Sequence, residues 1–204
     1  MKEIKPALLQ RFLYWHAQGT AYLFFKLFYR LKVYGIENIP KTGGVLLASN
    51  HCSYADPPLL GATVPRPIHF FAKEELFRFP PMGWYLKKLN AFPVRRFERD
   101  IGAFRNAQTL LRSGEAVVLF PEGRRSKTGE LGKAKPGVAM LAYKAKVPVV
   151  PIYICNSFYI KNFKALSITF GTPLYPPKTE DERSAYPSFS ETILEAVAAL
   201  KSKC

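Results

Sequence analysis

His51 and Asp56 are the two side chains of this sequence best suited to proton transfer. They lie five residues apart in the segment 50–56, NHCSYAD, which follows the apolar run 45–48. On a continuous helix that spacing would place them about 140° apart, so a loop has to bring them together. Because aspartate before proline is a favourable helix start, we expect the chain to turn at Asn50 and begin a helix that Asp56 caps. Such a turn lets the carboxylate hold one imidazole nitrogen and leaves the other free to accept a proton, although a plain helix cap is the alternative.

A second reactive segment, residues 120–126, reads FPEGRRS and follows a further apolar run. Gly123 allows a sharp turn that brings backbone N–H groups toward a ligand. Arg124 and Arg125 carry guanidinium groups suited to phosphate oxygens. Glu122 is better suited to accept a hydrogen bond from a substrate hydroxyl or from an arginine. The segment therefore predicts a phosphate-bearing acceptor, and a surface turn with solvated charges is the alternative.

The sequence contains no setting typical of a covalent nucleophile or a metal. There is no GxSxG segment, and Cys52, beside the base, is the one alternative acyl carrier. We expect direct transfer, in which His51 takes a proton from an acceptor hydroxyl and that hydroxyl attacks the group to be transferred. The histidines and cysteines lack the spacing of metal ligands, so we predict no metal. The three widely spaced cysteines predict no disulfide, and we therefore expect a reducing compartment.

The composition indicates the number of domains and the kind of partner. A chain of 204 residues with 48% hydrophobic content suits one core. Thirty Lys and Arg against 15 Asp and Glu give a net charge of +15, which indicates a polyanionic partner. The sequence has no RRM, KH or helix-turn-helix pattern, so we expect an anionic membrane surface and no nucleic acid. A non-catalytic basic module that binds membranes or nucleic acid remains the rival function.

The N-terminal segment is the most membrane-like part of the chain. Residues 12–25 are apolar and aromatic with basic flanks, but about 14 residues are too few for a crossing, which needs about 20. We expect residues 1–34 to form an amphipathic helical segment lying in the membrane interface, and residues 35–204 to form the catalytic domain. A helix packed on its own core and a cleaved signal peptide are the alternatives.

Short apolar runs alternate with helical stretches from Gly43 onward, which predicts an α/β fold with a mixed, mainly parallel sheet flanked by helices. Ligand sites in such sheets gather at the carboxyl ends of the strands, where both reactive segments begin. The predicted strands are residues 45–49, 68–72, 91–94, 116–120, 149–154 and 166–170. The predicted helices are residues 57–63, 82–89, 101–111, 137–144 and 188–200, the last capped by Ser188, and residues 127–135 and 173–187 are predicted loops.

The segments NHCSYAD and FPEGRRS resemble the NHxxxxD and FPEGTRS signatures of the glycerophosphate and lysophosphatidate acyltransferase family. The segment 91–96, AFPVRR, resembles the family's GxxFIDR block, and residues 147–152, VPVVPI, resemble its VPxxPV block. The likeness covers about residues 35–171. Asn90 replaces a glycine of the family pattern, Arg95 an aspartate and Arg124 a threonine.

The resemblance implies a function and assigns roles to residues. Arg96 and Arg125 match arginines of the family, and the arginine of the GxxFIDR block contacts the acceptor phosphate. The expected donor is acyl-CoA or acyl-carrier protein as co-substrate, with no cofactor. We expect the acceptor to be 1-acyl-glycerol 3-phosphate, acylated at its sn-2 hydroxyl to phosphatidate, and the site to be the cytoplasmic face of the membrane. Another lysolipid or glycerol 3-phosphate is the first alternative acceptor.

Overall fold

The architecture is taken from a computed structural model, which describes residues 8–95 and 100–204. The helices are α1 Leu8–Tyr29, α2 Asp56–Thr63, α3 Pro80–Lys88, α4 Ile101–Arg112, α5 Gly137–Ala145 and α6 Glu182–Ala199. The strands are β1 Lys32–Tyr34, β2 Val45–Ser49, β3 Ile68–Lys73, β4 Ala91–Val94, β5 Ala116–Leu119, β6 Val149–Cys155 and β7 Ser167–Phe170.

The strands form one sheet in the order β1-β7-β6-β2-β5-β3-β4. Every neighbouring pair is parallel except β6 and β7, which are antiparallel. The carboxyl ends of β2, β3, β4, β5 and β6 therefore lie at one edge. The mixed, mainly parallel sheet predicted from the sequence is confirmed.

Both faces of the sheet are covered, which explains the continuous apolar runs in the central strands. All of β2 and all of β6 are buried. On one face, Leu47 and Val150 join a core cluster that contains residues of α1 and α2. On the other face, Leu46 and Val149 join a cluster with residues of α4, α5 and α6.

Helix α1 packs on the sheet by one side and exposes the other. Tyr14, Phe25 and Tyr29 are buried, and the hydroxyl of Tyr14 accepts the N–H of Ile68 at 3.0 Å. Burial raises the pKa of Tyr14 to about 12. The other side leaves a series of apolar side chains exposed: Leu8, Leu9, Phe12, Trp15, Tyr22, Leu23, Phe24, Leu27 and Phe28. Contact with a membrane interface stays a prediction for this side.

Across residues 8–95 and 100–204, no helix has both the length and the apolar character that a bilayer crossing requires.

Two predictions about secondary structure were wrong. Strand β1 was missed, because its three residues pair with the distant β7 and carry no periodic pattern of their own. Helix α6 begins before the expected cap Ser188: Asp181 accepts the N–H groups of Arg183 and Ser184 at 3.0 and 3.4 Å, and Pro187 lies inside the helix. The predicted loop 173–187 is therefore shorter than expected.

The prediction of no disulfide is also wrong, since Cys155 and Cys204 are bonded. Helix α6 and the 3-10 helix Leu200–Lys203 return the chain to the end of β6, which brings together two cysteines 49 residues apart. Sequence spacing gave no sign of this pairing because the contact is tertiary. The bond removes the basis on which a reducing compartment was expected.

Candidate active site

His51 and Asp56 meet at the carboxyl end of β2. His51 Nδ1 lies 2.8 Å from Asp56 Oδ2. The two residues are 4% and 0% exposed, so the pair is shielded from bulk water. A carboxylate on Nδ1 favours the tautomer whose Nε2 is unprotonated and able to accept a proton. The arrangement suits a general base and its orienting carboxylate.

The loop between the two residues folds around the same carboxylate oxygen. Asp56 Oδ2 also accepts the backbone N–H groups of Cys52 and Ser53, both at 2.7 Å. The expectation that Asp56 caps α2 was wrong: Ala55 is the cap residue, and Asp56 is the first residue of the helix. The carboxylate points back toward the preceding turn instead of forward along the helix. The spacing of five residues is therefore explained by a turn that closes on the aspartate.

The ring of His51 contacts both the second reactive segment and a large cavity. It stacks on Phe120 with ring centroids 3.9 Å apart and an angle of 13°. His51 also lines a cavity of about 620 Å³ between the sheet and helices α4 and α5. Most of the cavity wall is apolar, and it includes Phe71, Val94, Ile101, Phe104, Met140 and Leu141. A base at the boundary of an apolar cavity suits the acylation of a hydroxyl by a long-chain thioester.

Glu122 connects the two reactive segments through backbone groups. Its Oε1 accepts the N–H of His51 at 3.4 Å, and its Oε2 accepts the N–H of Gly132 at 2.8 Å. The N–H of Ser126 donates to the carbonyl of His51 at 2.7 Å. Glu122 is only 5% exposed. The carboxylate therefore fixes the position of His51 relative to the loop 127–135, a role that the sequence did not indicate.

Gly123, Arg124 and Lys135 bring a glycine turn and two cations to the cavity wall. Gly123 has a φ of +69°, and a Cβ there would lie 3.0 Å from atoms of the Lys135 side chain. Glycine therefore allows both the turn and the close approach of the lysine. Lys135 was not singled out from the sequence, where it was one of several lysines in a predicted loop. Its approach to Gly123 depends on the fold of that loop.

The two adjacent arginines of the second segment have different surroundings. Arg124 lines the cavity, whereas the guanidinium carbon of Arg125 lies 3.6 Å from the ring centroid of Tyr54. Arg125 is therefore held by a cation–π contact rather than directed into the cavity. Arg96, the other predicted phosphate contact, lies outside the described residues.

Cys52 lies beside the base but lacks the properties of a nucleophile. Burial, followed by the negative charges of Asp56 and Glu122, raises the pKa of its thiol to about 11. The thiol contacts the carbonyl oxygen of Gly129 at 3.8 Å. A thiol with so high a pKa is almost wholly protonated near neutral pH. This environment favours direct transfer over an acyl-cysteine intermediate.

Among the residues that the structure describes, no group of histidine, cysteine, aspartate or glutamate side chains has the arrangement of a metal site.

Comparison with known proteins identifies the family. The model of the acyltransferase family matches residues 30–155. A 1-acyl-sn-glycerol-3-phosphate acyltransferase of Bacillus subtilis is 38% identical over 122 residues, which are 59% of this chain and 60% of the relative. The chloroplastic 1-acyl-sn-glycerol-3-phosphate acyltransferase BAT2 of Brassica napus is 32% identical over 164 residues, 75% of this chain and 47% of the relative. The chain thus spans 60% or less of the length of these two proteins.

A solved structure extends the likeness to nearly the whole fold. The crystal structure of the 1-acyl-sn-glycerophosphate acyltransferase PlsC from Thermotoga maritima matches with a TM-score of 0.79 and 28% sequence identity. The match covers 98% of this chain and 84% of that one. The family match contains both reactive segments, and the fold that positions them is shared. The chain therefore belongs to the acyltransferase family.

Proposed function

We propose that this protein transfers a fatty acyl group from an acyl thioester to the sn-2 hydroxyl of 1-acyl-glycerol 3-phosphate, giving phosphatidate for phospholipid biosynthesis. The observation that carries the proposal is the pair His51 and Asp56 at the wall of the apolar cavity, with Arg124 and Lys135 on the same wall. The base suits the hydroxyl of the acceptor, and the cations suit its phosphate. The apolar cavity suits the acyl chain of the donor. The names of the relatives support the same acceptor.

The reaction follows from the groups at the site. His51 Nε2 accepts the proton of the acceptor hydroxyl as its oxygen attacks the carbonyl carbon of the thioester. Asp56 stabilises the imidazolium that forms on the other side of the ring. The C–S bond then breaks, and the imidazolium returns the proton to the departing thiolate. The products are the ester and a free thiol, and no group on the enzyme is acylated.

The acyl chain has a suitable place in the cavity. Its volume of about 620 Å³ lies within the range of roughly 300–1,000 Å³ for small-molecule sites. Phe104 and Met140 contribute to the apolar wall. Burial of methylene groups there contributes about 0.8 kcal/mol each. This supports a long-chain thioester, carried by coenzyme A or by acyl-carrier protein, as the donor, with no cofactor.

The acceptor phosphate is bound by Arg124 of the second segment and by Lys135 of the loop that follows it. Arg124 and Lys135 already line the cavity, and Gly123 supplies the turn that sets them there. The resemblance assigns the same role to Arg96, and the guanidinium group of Arg125, which matches an arginine of the family, is suited to it. Arg125 has to leave Tyr54 in order to join the phosphate. Glu122 acts through His51 and is a positioning residue.

The site operates at an anionic membrane surface, with the protein attached as a peripheral or monotopic enzyme, and the family resemblance implies the cytoplasmic side. The exposed apolar side of α1 and the net charge of +15 support this placement, because apolar burial and attraction to anionic lipids add. Lysolipid acceptors partition into the same surface.

The proposal is tested with a panel of acceptors assayed by mass spectrometry. 1-acyl-glycerol 3-phosphate, other lysophospholipids and glycerol 3-phosphate are each incubated with acyl-CoA or acyl-carrier protein donors. We expect phosphatidate to form fastest, and a His51→Ala variant to serve as the control. Preference for glycerol 3-phosphate or another lysolipid would reassign the acceptor. Absence of transfer to every acceptor would contradict the proposal that the protein is an acyltransferase.

A further inference from the structure

The segment that follows β6 carries an exposed set of aromatic side chains. Residues 156–166, here called the aromatic segment, include the 3-10 helix Ser157–Asn162 and end before β7. Phe158, Tyr159 and Phe163 are 38%, 45% and 63% exposed. None of them belongs to the site described above, and exposed rings grouped on one segment indicate an interaction surface.

The aromatic segment is continuous with the exposed side of α1. Phe163 stacks on Tyr29 with ring centroids 5.3 Å apart and an angle of 17°. Tyr29 lies 5.9 Å from Phe24, which lies 5.1 Å from Phe28. Phe24 and Phe28 are 45% and 58% exposed. The rings therefore form one band that begins on α1 and ends on the aromatic segment.

The charges along this band have a single sign. The aromatic segment contains Lys161 and Lys164 and no acidic residue, and residues 4–36, which include α1, contain no acidic residue either. Lys164 Nζ lies 4.4 Å from the ring centroid of Tyr159. No salt bridge to Lys161 or Lys164 occurs in the described part of the chain. Aromatic rings next to cations that have no acidic partner match the acyl boundary and the head groups of an anionic lipid surface.

The backbone holds the rings outward at a conformational cost. Phe163 has a φ of +51°, in the left-handed region that a bulky residue seldom adopts. Asn156 Nδ2 donates to the carbonyl of Ala165 at 2.8 Å, which closes the segment on itself. Ile160 packs against the core. A strained residue held by its surroundings is an observation that points toward function.

The aromatic segment lies next to the reactive loops. It follows β6, whose Ile154 exchanges hydrogen bonds with the side chain of Asn50, the residue before the base, at 2.7 and 3.0 Å. A Cβ on Gly129 would lie 3.1 Å from the ring of Phe158. Gly129 in turn contacts the thiol of Cys52. A membrane bound to the aromatic segment would therefore lie close to the carboxyl edge of the sheet.

We propose that the aromatic segment is a second lipid-contacting surface, which inserts Tyr159 and Phe163 among anionic phospholipids beside α1 and sets the active site at the bilayer. The inference rests on the proposed membrane attachment and adds a surface that the N-terminal segment alone does not provide. Membrane contact on both sides of Tyr29 fixes the orientation of the enzyme, where a single helix would leave it free to rotate.

The test compares full-length variants for partition into vesicles, measured by sedimentation. The aromatic variant is Tyr159→Asn with Phe163→Asn, because asparagine tolerates the left-handed backbone at position 163. The charge variant is Lys161→Gln with Lys164→Gln. The matched control is Tyr175→Asn, since Tyr175 is 70% exposed and follows Leu174, which pairs with Val149 at the opposite end of β6. Thermal unfolding verifies that each variant is folded.

We expect the aromatic variant to lower partition about tenfold into both neutral phosphatidylcholine vesicles and vesicles with added phosphatidylglycerol. The charge variant should lower partition about tenfold or more into the anionic vesicles at low salt, and leave neutral vesicles unaffected. The control should bind as the wild type does.

Binding by both variants within about twofold of wild type would overturn the inference and leave attachment through α1 intact. An equal loss in the Tyr175→Asn control would also overturn it, because the effect would not be specific to the segment. Failure of the wild type to bind any vesicle would overturn the membrane attachment itself.

Discussion

The two reactive segments differ in how closely local sequence determines their structure. In the first, Asp56 binds His51 and two backbone N–H groups within five residues of itself, and the side chains of Asp56 and His51 are both buried. In the second, neighbouring side chains diverge: Glu122 is buried on backbone groups, and Arg125 lies on Tyr54. A short side chain in a closed turn finds its partners within the turn, whereas a long cationic side chain takes the position that its tertiary neighbours provide.

The largest effect is expected at the histidine of the first segment. His51→Ala removes the proton acceptor, so kcat should fall by about 10²–10⁴-fold while vesicle binding stays close to wild type and the protein remains folded. Steady-state assays of phosphatidate formation measure the change. Retention of a tenth or more of the wild-type kcat would contradict the assignment of the base.

Asp56→Asn tests whether the charge or the turn matters more. The amide keeps an oxygen for the N–H groups of Cys52 and Ser53, but it loses the charge that stabilises the imidazolium. We expect kcat to fall by about 10²-fold or more. Circular dichroism should show an unchanged fold. Activity close to wild type would mean that Asp56 serves only to close the turn.

Glu122→Gln tests the link between the two segments. The N–H groups of His51 and Gly132 bind different oxygens of the carboxylate, and the amide replaces one of these oxygens with an NH2 group. One donor is then left unsatisfied, which costs about 1–3 kcal/mol when it is buried. The free energy of unfolding, measured with denaturant, should fall by that amount. We also expect kcat/KM to fall about tenfold, because His51 is no longer held in its position. If KM for the acceptor alone rose and stability were unchanged, Glu122 would contact the substrate instead.

The arginine pair gives the sharpest contrast within one segment. Arg124→Ala should raise the acceptor KM by an amount equivalent to about 1.5–3 kcal/mol, since a charged hydrogen bond to phosphate is lost. Arg125→Ala should raise the acceptor KM by less, an amount equivalent to about 0.5–1 kcal/mol, because the observed partner of Arg125 is the ring of Tyr54. The KM for the acyl donor should hardly change in either variant.

A reversed order would show that Arg125 leaves Tyr54 when the acceptor binds, as the family resemblance implies. Tyr54→Leu, which frees Arg125, is the matched control and should then lower the acceptor KM. An increase in the donor KM for either arginine variant would assign these cations to coenzyme A or the acidic carrier.

The smallest functional effect is expected at Cys52. Its thiol has a pKa of about 11, so the thiolate fraction and the rate of alkylation by iodoacetamide should rise about tenfold per pH unit from pH 7 to 10. The rate should level off only near pH 11. Cys52→Ala should leave turnover within about threefold of wild type. A plateau near the ordinary thiol value, about 8.5, would contradict the buried setting beside two carboxylates.

The fold and the dyad could be predicted because their determinants are local. Strand β2 and helix α2 follow from an apolar run and an Asp-Pro helix start, and the dyad consists of His51 just after the strand and Asp56 at the first position of the helix. Strand β1, the disulfide of Cys155 with Cys204 and the approach of Lys135 to Gly123 join residues far apart in sequence, and no spacing rule encodes such contacts.

The structure also changes how the N-terminal segment should be studied. Phe25, Tyr29 and Leu31 belong to the core, and β1 begins at Lys32. A deletion of residues 1–31 would therefore remove core packing together with the exposed apolar side. Substitutions on the exposed side of α1 separate the two roles, which the apolar composition of the segment alone did not distinguish.

The most direct test of the central claim is the release of free thiol from an acyl thioester, followed in parallel with phosphatidate formation. If His51 activates the acceptor hydroxyl for direct transfer, wild-type enzyme with donor alone should release no burst of thiol. Addition of 1-acyl-glycerol 3-phosphate should then yield thiol and phosphatidate in equal amounts, and His51→Ala should yield neither. A burst of thiol without acceptor, equal in amount to the enzyme and accompanied by an acylated protein in the intact mass, would contradict the account.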